Sequence, residues 1–425
     1  MKKILRSLTA SLVLAFAILL LQGCLKDSYT RTYSYSYYVP VYKTTAEVRA
    51  NIKSNGPKPV EKPGKIYIRG QYIFLNEIDK GIHIIDNANP SSPRNIAFID
   101  IPGNMDLAVK GDVLYADLYT DLVAIDISNP LQVAVKKLVE GIFPHRYYST
   151  GFAPDTSRII ASWEKRDTTV SESFDQVRWA QEKNIFINFS AASSAGGNGQ
   201  SFASVSPYGV GGSMARFAIM GNRLYTVGDN YLDAFNISDP VNPFNTARKN
   251  VGRNIETIYP FQNHLFIGST SGMYIYNVSN PDNLVETGKF GHVESCDPVI
   301  ADQQHAYVTL RSGTVCQGFS NQLEILNLND LANPTLVKVY QLTNPRGLSK
   351  DGNTLFICDG RDGLKVFDAS NVSNLRLLKT IGGMETYDVI TLNGNAIVVA
   401  NDGLYQYDYS NLSDIRLRSR ITLSN

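Results

Sequence analysis

Short apolar runs alternate with turn residues along most of the chain, and one phrase returns seven times: a mostly apolar stretch of four residues closed by Asp or Asn. It occupies Ile82–Asp86, Leu122–Asp126, Leu232–Asn236, Met273–Asn277, Leu323–Asn327, Leu364–Asp368 and Leu404–Asp408. Five of the six intervals between copies are about 40 to 50 residues, the size of a propeller blade rather than of a helical repeat. One unit, read in full, holds four runs of strand length: Asp106–Lys110, Val113–Asp117, Leu122–Asp126 and Val133–Val139. The third run leads into Asp126-Ile127-Ser128-Asn129-Pro130, with counterparts at Asp86–Pro90, Asn236–Pro240 and Asn277–Pro281. Asp and Asn side chains bond backbone amides two residues on, and proline fixes φ and refuses a central strand. The phrase is therefore a turn between the third and fourth strands. The turn between the second and third strands carries Gly81, Gly272, Gly363 and Gly403, as tight hairpins require. Two kinds of turn at two fixed places predict a meander of four antiparallel strands.

Such a meander cannot bury both of its faces alone. Repeated radially, each sheet packs on the next and the edges are protected. The expected fold is all-β: a β-propeller of four-stranded antiparallel blades. Units begin near Lys65, Asp106, Arg146, Arg216, Glu256, Asp297, Arg346 and Asp388, which makes eight blades. The third unit is degenerate. Arg158–Trp163 reads as its second strand and Ile185–Asn188 as its third, with a polar insertion at Glu164–Glu182 and a Gly/Ser-rich stretch at Ser190–Gly212 that is too small-sided to pack as a strand. If this unit does not close, the ring has seven blades.

The first 23 residues read as a secretory signal peptide: Lys2, Lys3 and Arg6 precede an apolar run from Leu12 to Leu21, which is short for a membrane span. Leu21-Gln22-Gly23-Cys24 resembles the bacterial lipobox. That resemblance implies removal of residues 1–23, lipidation of Cys24 and anchoring in a membrane by acyl chains. Leu25, standing where inner-membrane lipoproteins carry Asp, implies delivery to the outer membrane, with the cell surface expected ahead of the periplasmic face. Residues 24–60 form a tether with Tyr29, Tyr33, Tyr35, Tyr37, Tyr38 and Tyr42. Tyrosine alternates with Thr and Ser from Thr32 to Tyr37, the pattern of a strand with one aromatic face. Either this strand adds to the edge of the last blade and closes the ring, or the tether is an extended stalk. Residues 61–425 are the propeller.

The repeat phrases resemble those of the LVIVD-repeat family of bacterial and archaeal cell-surface proteins, with Leu122-Val123-Ala124-Ile125-Asp126 the nearest copy. The resemblance implies a β-propeller at the cell surface and brings no catalytic residues with it. The balance of 40 Lys+Arg against 39 Asp+Glu provides no electrostatic drive toward nucleic acid.

In a propeller the first strand of each blade lines the central channel. Lys65, Asp106, Arg216, Glu256, Asp297, Arg346 and Asp388 are expected at the channel mouth. Charges of mixed sign there either bind a polar ligand in a partly dehydrated hollow or pair with one another and plug it. Cys296 and Cys316 are placed near the same rim. A disulfide between them would close a loop of about 20 residues and stabilise by roughly 3 kcal/mol, while Cys358 reads as a small core residue. Trp163, Phe174, Arg178 and Trp179 lie in or beside the insertion and are of types that dominate binding surfaces. There is no Gly-x-Ser-x-Gly elbow, His-Glu-x-x-His or Cys-x-x-Cys spacing, so neither catalysis, metal nor cofactor is expected. The reading is a non-catalytic platform for an envelope protein or glycan. The alternatives are an enzyme acting on extracellular polysaccharide through Glu256 and Asp297, or a purely structural envelope component.

Overall fold

The structure is a computed structural model and describes residues 29–143, 158–174, 210–291, 298–312 and 320–423. Seven meanders of four antiparallel strands follow one another at residues 63–100, 107–139, 217–250, 255–291, 299–341, 348–381 and 386–422, blades 1 to 7. The inner strand of each blade lies beside that of the next, and the inner strand of blade 7, Thr386–Leu392, lies beside that of blade 1, Pro63–Arg69. The ring is thus closed.

The ring has seven blades, not eight, and the reason is visible in the degenerate unit. Residues that were expected to turn back after Trp163 continue as one strand, Ile159–Phe174, of 16 residues. This strand pairs with Tyr29–Lys43 and with no blade. No glycine of the kind that turns the second strand into the third in blades 1, 4, 6 and 7 follows Trp163; Glu164–Phe174 holds none. The same pairing answers the question of the tyrosine-rich strand: it joins Ile159–Phe174 and does not extend blade 7. The expected third strand of this unit, Ile185–Asn188, lies outside the described residues. The chain accordingly divides into two compact units: the propeller with residues 43–61, and the two-stranded ribbon.

Between the ribbon and blade 1, Thr45–Ala50 forms a short helix. Its capping box joins Thr44 and Glu47: Thr44 Oγ1 accepts from Glu47 N, and Glu47 Oε2 accepts from Thr44 N. Both exchanges satisfy amide donors that a helix start leaves open. Lys53–Asn55 then adds to the outer strand of blade 1, Arg94–Asp100.

Within the blades, the turn chemistry repeats without exception. Asp86, Asp126, Asn236, Asn277, Asn327, Asp368 and Asp408 each accept the backbone N–H two residues on through Oδ1. Three residues later Asn89, Asn129, Asp239, Asn280, Asp330, Asn371 and Asn411 do the same. Each blade also has a break of register between its third and fourth strands near the end of the pentad, as at Ile84/Ile85 and Val366/Phe367. A bulge there increases the local twist of the outer strand. Gly363, in the turn before the third strand of blade 6, has φ +84°, and a Cβ on it would stand 2.1 Å from Ile381 O. Glycine is needed there for both conformation and space.

The core lies between sheets. Its clusters straddle neighbours: Val227, Leu232, Ile258 and Ile267 join blades 3 and 4, and Ile66, Ile73, Ile390 and Val399 join blades 1 and 7. Buried tyrosines add directed links. Tyr259 OH donates to Ala301 O at 2.9 Å across blades 4 and 5, and Tyr115 OH donates to Pro240 O at 2.8 Å across blades 2 and 3. Outer strands, by contrast, keep many exposed side chains, Val135, Phe244 and Leu417 among them. They have an adjacent sheet to cover only part of their surface.

Candidate functional site

The inner-strand register decides which charges meet. Ile66, Leu107, Phe217, Ile258, Val299, Leu348 and Val389 each pair with the fourth residue of their blade's second strand. The residues just before them are Lys65, Asp106, Arg216, Thr257, Pro298, Gly347 and Asp388. Four of the expected charges therefore occupy equivalent places. Glu256 and Arg346 stand one residue further out, and in a strand one residue means the opposite face. Asp297 precedes Pro298 and lies outside the described residues.

Asp388, Lys65 and Asp106 begin the inner strands of blades 7, 1 and 2, so a lysine is set between two aspartates. Lys65 Nζ reaches Asp106 Oδ2 at 2.7 Å and donates to Met214 O at 2.7 Å. Asp106 Oδ2 also accepts from Arg216 N, and its Oδ1 from Leu107 N. All three side chains are buried. Burial penalises both charged forms: it holds the Lys65 ammonium below, and the Asp106 carboxyl above, their ordinary values, with the partner's charge opposing each shift. Asp388 is raised well above the carboxylate range by burial, helped by Asp106 and opposed by its own Val389 N–H and by Lys65. Its Oδ1 accepts from Val389 N, and its Oδ2 has no hydrogen-bond partner. Asp388 is thus held toward the neutral acid, with one oxygen unengaged.

The segment 210–216 bridges the channel at this level. Val210 and Gly211 pair with Ile68 and Tyr67 of blade 1. Ser213 Oγ accepts from Leu348 N of blade 6 at 3.3 Å, Ala215 O accepts from Ile258 N of blade 4 at 2.8 Å, and Arg216 N reaches Asp106 of blade 2. Five residues that touch blades 1, 2, 4 and 6 must cross the axis. Gly211, Gly212, Ser213 and Ala215 are small enough to pass, and Ser213, Met214 and Ala215 are buried. The stretch Ser190–Gly212, expected to be too small-sided for a strand, does form one at its end: Val210–Gly211 adds to the inner strand of blade 1, where small residues fit the narrow space; its earlier part lies outside the described residues.

A second layer of charge gathers from blades 4 to 7. Arg346 Nη2 pairs with Glu385 Oε1 at 2.5 Å, its Nε donates to Asn344 Oδ1 at 3.2 Å, and its guanidinium stacks 4.4 Å from the Tyr387 ring centre. Arg346 is only 8% exposed, and its Nη1 has no hydrogen-bond partner. Arg311, from blade 5, is held below its ordinary value by burial and by Arg346, against the pull of Glu256 and Glu385. Arg361 Nε lies 3.6 Å from Glu385 Oε2. Among the described residues, the guanidinium groups of Arg311, Arg346 and Arg361 thus gather around Glu256 and Glu385. Glu385, Arg311 and Tyr387 escaped the sequence reading: counting along the inner strand of blade 7 singled out Asp388 and passed over its neighbours, and Arg311 follows a second strand; their convergence is a property of the ring.

The remaining expectations are distributed as follows. Cys358 is buried in the core between blades 6 and 7, its thiol pushed up by burial. Cys24, Cys296, Cys316, Arg178 and Trp179 lie outside the described residues. Trp163 and Phe174 sit in the ribbon strand Ile159–Phe174 and not in a loop between blade strands. A cleft of about 490 Å³ on the outer side of blade 1 is lined by Lys53, Lys58, Glu61, Lys80, Phe98 and Asp100. Four of its charges pair with one another, Lys58 with Asp100 at 2.6 Å and Lys80 with Glu61.

The family model of the LVIVD repeat matches residues 63–97, 103–139, 211–248 and 346–381, which are blades 1, 2, 3 and 6. No curated protein matches the chain. Among solved structures, a protein from Lactobacillus plantarum is similar over 85% of this chain and 96% of its own, with 12% identity and a TM-score of 0.52. The computationally designed protein Ika8 is similar over 87% and 92%, with 8% identity and a TM-score of 0.50. Both likenesses concern the fold alone. Turn chemistry and ring geometry agree: the chain is a seven-bladed β-propeller, and four of its blades match the LVIVD repeat.

Proposed function

We propose that the chain is a non-catalytic binding platform of the cell envelope, anchored through a lipid on Cys24, that takes an acidic group of an envelope protein or glycan at the channel mouth. The observation that supports this most directly is Arg346: a guanidinium more than nine-tenths buried, with one nitrogen unpartnered. Leaving a buried charged donor unmade is costly, and a carboxylate is the planar acceptor that a guanidinium fork fits best. Among the described residues, Arg311 and Arg361 stand beside it. Segment 210–216 bridges the channel, so a ligand would rest at the mouth rather than pass through. The insertion at 164–182 is a separate candidate surface through Trp163, Phe174, Arg178 and Trp179.

The test is capture of envelope components, and a glycan array, with the wild-type chain, Arg346→Gln and the exposed control Arg94→Gln. Loss of binding with Arg346→Gln alone supports the mouth; undiminished binding excludes it. Deletion of 164–182 reads the second surface. A Cys24→Ala chain recovered in the soluble periplasmic fraction supports the anchor, and its retention in membranes refutes it.

A further inference from the structure

The ribbon formed by Tyr29–Lys43 and Ile159–Phe174 has two unlike faces. On one, hydroxyl and carboxylate groups meet across the strands: Thr32 with Ser171 at 2.9 Å, Ser34 with Thr169 at 2.8 Å and Ser36 with Asp167 at 2.5 Å. The sum of the paired numbers is constant, so the strands are antiparallel, and Val170, Thr168 and Arg166 stand opposite Tyr33, Tyr35 and Tyr37 on the other face. There the tyrosine rings stack in a row, with centroids 6.0 Å and 6.2 Å apart, and the Arg31 guanidinium lies 5.7 Å from the Tyr33 ring. These three tyrosines remain 37%, 48% and 41% exposed. A two-stranded ribbon is marginal by itself in water, and an uncovered aromatic row is surface that calls for a cover.

From this geometry we infer that the tyrosine face lies on the membrane, its rings in the headgroup layer. The inference rests on the reading of Cys24 as the lipid-bearing residue. Four residues, or five steps along the chain, then separate Cys24 from Tyr29, a reach of at most about 18 Å, so the ribbon starts close to the lipid surface. The chemistry of the row matches that place. Tyrosine has an apolar body and a hydroxyl tip, and it is enriched where one end is dry and the other wet. A dry protein interface would have to find a partner for every hydroxyl, whereas headgroups and water supply them. Arg31, on the same face, extends toward phosphate level, while Arg166 there is paired with Glu164 at 3.1 Å.

The test inserts the purified acylated protein into preformed vesicles of phosphatidylethanolamine and phosphatidylglycerol, and labels tyrosines from the aqueous side with an impermeant iodination enzyme. Tyr38, 61% exposed, is on the opposite face and serves as the internal control. The expected result is that labelling of Tyr33, Tyr35 and Tyr37 falls about ten-fold relative to Tyr38 in vesicles, as burial in an aromatic belt requires, and is restored in the soluble Cys24→Ala chain. Equal labelling in both preparations overturns the inference. So does protection already present in the soluble Cys24→Ala chain, which would assign the cover to protein or to a second copy. The mass of the amino-terminal peptide reads acylation independently: an unmodified peptide removes the anchor and this inference together, while an acylated peptide with fully labelled tyrosines removes this inference alone.

Discussion

Asn87 and Gln406, separated by 319 positions in sequence, exchange two side-chain hydrogen bonds. Gln406 Nε2 donates to Asn87 Oδ1 at 2.6 Å, and Asn87 Nδ2 donates to Gln406 Oε1 at 3.1 Å. They join the last blade to the first. The four meander strands of every blade are contiguous chain, and the strands added to blade 1, Lys53–Asn55 and Val210–Gly211, do not come from blade 7. Closure depends on this pair, on Ser419 Oγ donating to Pro90 O at 2.6 Å, and on the apolar contact of Ile66 and Ile73 with Ile390 and Val399. Gln406 Oε1 also accepts from Asn395 Nδ2 at 2.7 Å. Gln406→Ala should therefore strand two amides and cost about 1–3 kcal/mol, read as a lower midpoint in urea. Asn87→Ala with Gln406→Ala should cost less than the sum of the two.

Lys65 and Asp106 should behave as a unit. Removing one partner leaves a buried charge, so Lys65→Met and Asp106→Asn should each destabilise by about 3–5 kcal/mol. The double variant Lys65→Met/Asp106→Leu should recover a large part of that loss. Equilibrium denaturation of all three decides; additive losses would mean that the pair is not coupled.

Asp388 provides a pH test. Its folded carboxyl binds a proton more readily than an unfolded one, because burial raises it. Stability should accordingly decline as pH rises from about 4, the unfolded value, toward the folded value. Asp388→Asn carries no ionisation and should remove this decline while preserving shape. Thermal melts between pH 4 and 8 should show a flatter dependence for the variant and a melting temperature at pH 8 no lower than that of the wild type.

The turn aspartates make the opposite prediction. Asp126, Asp368 and Asp408 are lowered to about 2, the first two chiefly by the amides of Ser128 and Ser370 and the third by the Ser410 side chain. A lowered carboxyl adds stability that is complete above the ordinary value near 4 and lost as pH falls toward 2. Asn236, Asn277 and Asn327 fill the equivalent turns without titrating. A chain with Asp126→Asn, Asp368→Asn and Asp408→Asn should lose less stability between pH 4 and pH 2 than the wild type, as followed by circular dichroism.

Gly352 and Gly363 both have positive φ, +53° and +84°, but differ in their surroundings. A Cβ on Gly352 meets nothing within 4 Å, whereas one on Gly363 meets Ile381 O at 2.1 Å. Gly352→Ala should cost about 1 kcal/mol, from conformation alone. Gly363→Ala should cost about 3 kcal/mol or more, because the outer strand must shift as well. Similar midpoints for the two would show that blade 6 yields freely at this turn.

Much of the blade was legible because its signals are local. An Asx side chain bonds an amide two residues away, glycine answers the φ of its own turn, and strand alternation is read over half a dozen residues. Hence the seven pentads, from Ile82–Asp86 to Leu404–Asp408, all became third strands in one register. The number of blades was harder. Arg158–Trp163 looks like a blade strand in isolation, and only its pairing with Tyr29–Lys43 removes it from the ring.

The mouth shows the boundary between the two kinds of information. Residue types and spacing placed Lys65, Asp106, Arg216 and Asp388 at the starts of inner strands, because counting along a strand is enough to reach its end. They could not show that Glu256 and Arg346 are displaced by one residue, with Thr257 and Gly347 in the equivalent places. Nor could they show Glu385 beneath Arg346, Arg311 between Glu256 and Glu385, or 210–216 crossing the axis. Those contacts exist only when seven sheets stand around one axis, where side chains tens or hundreds of residues apart share a space too narrow for water to separate their charges.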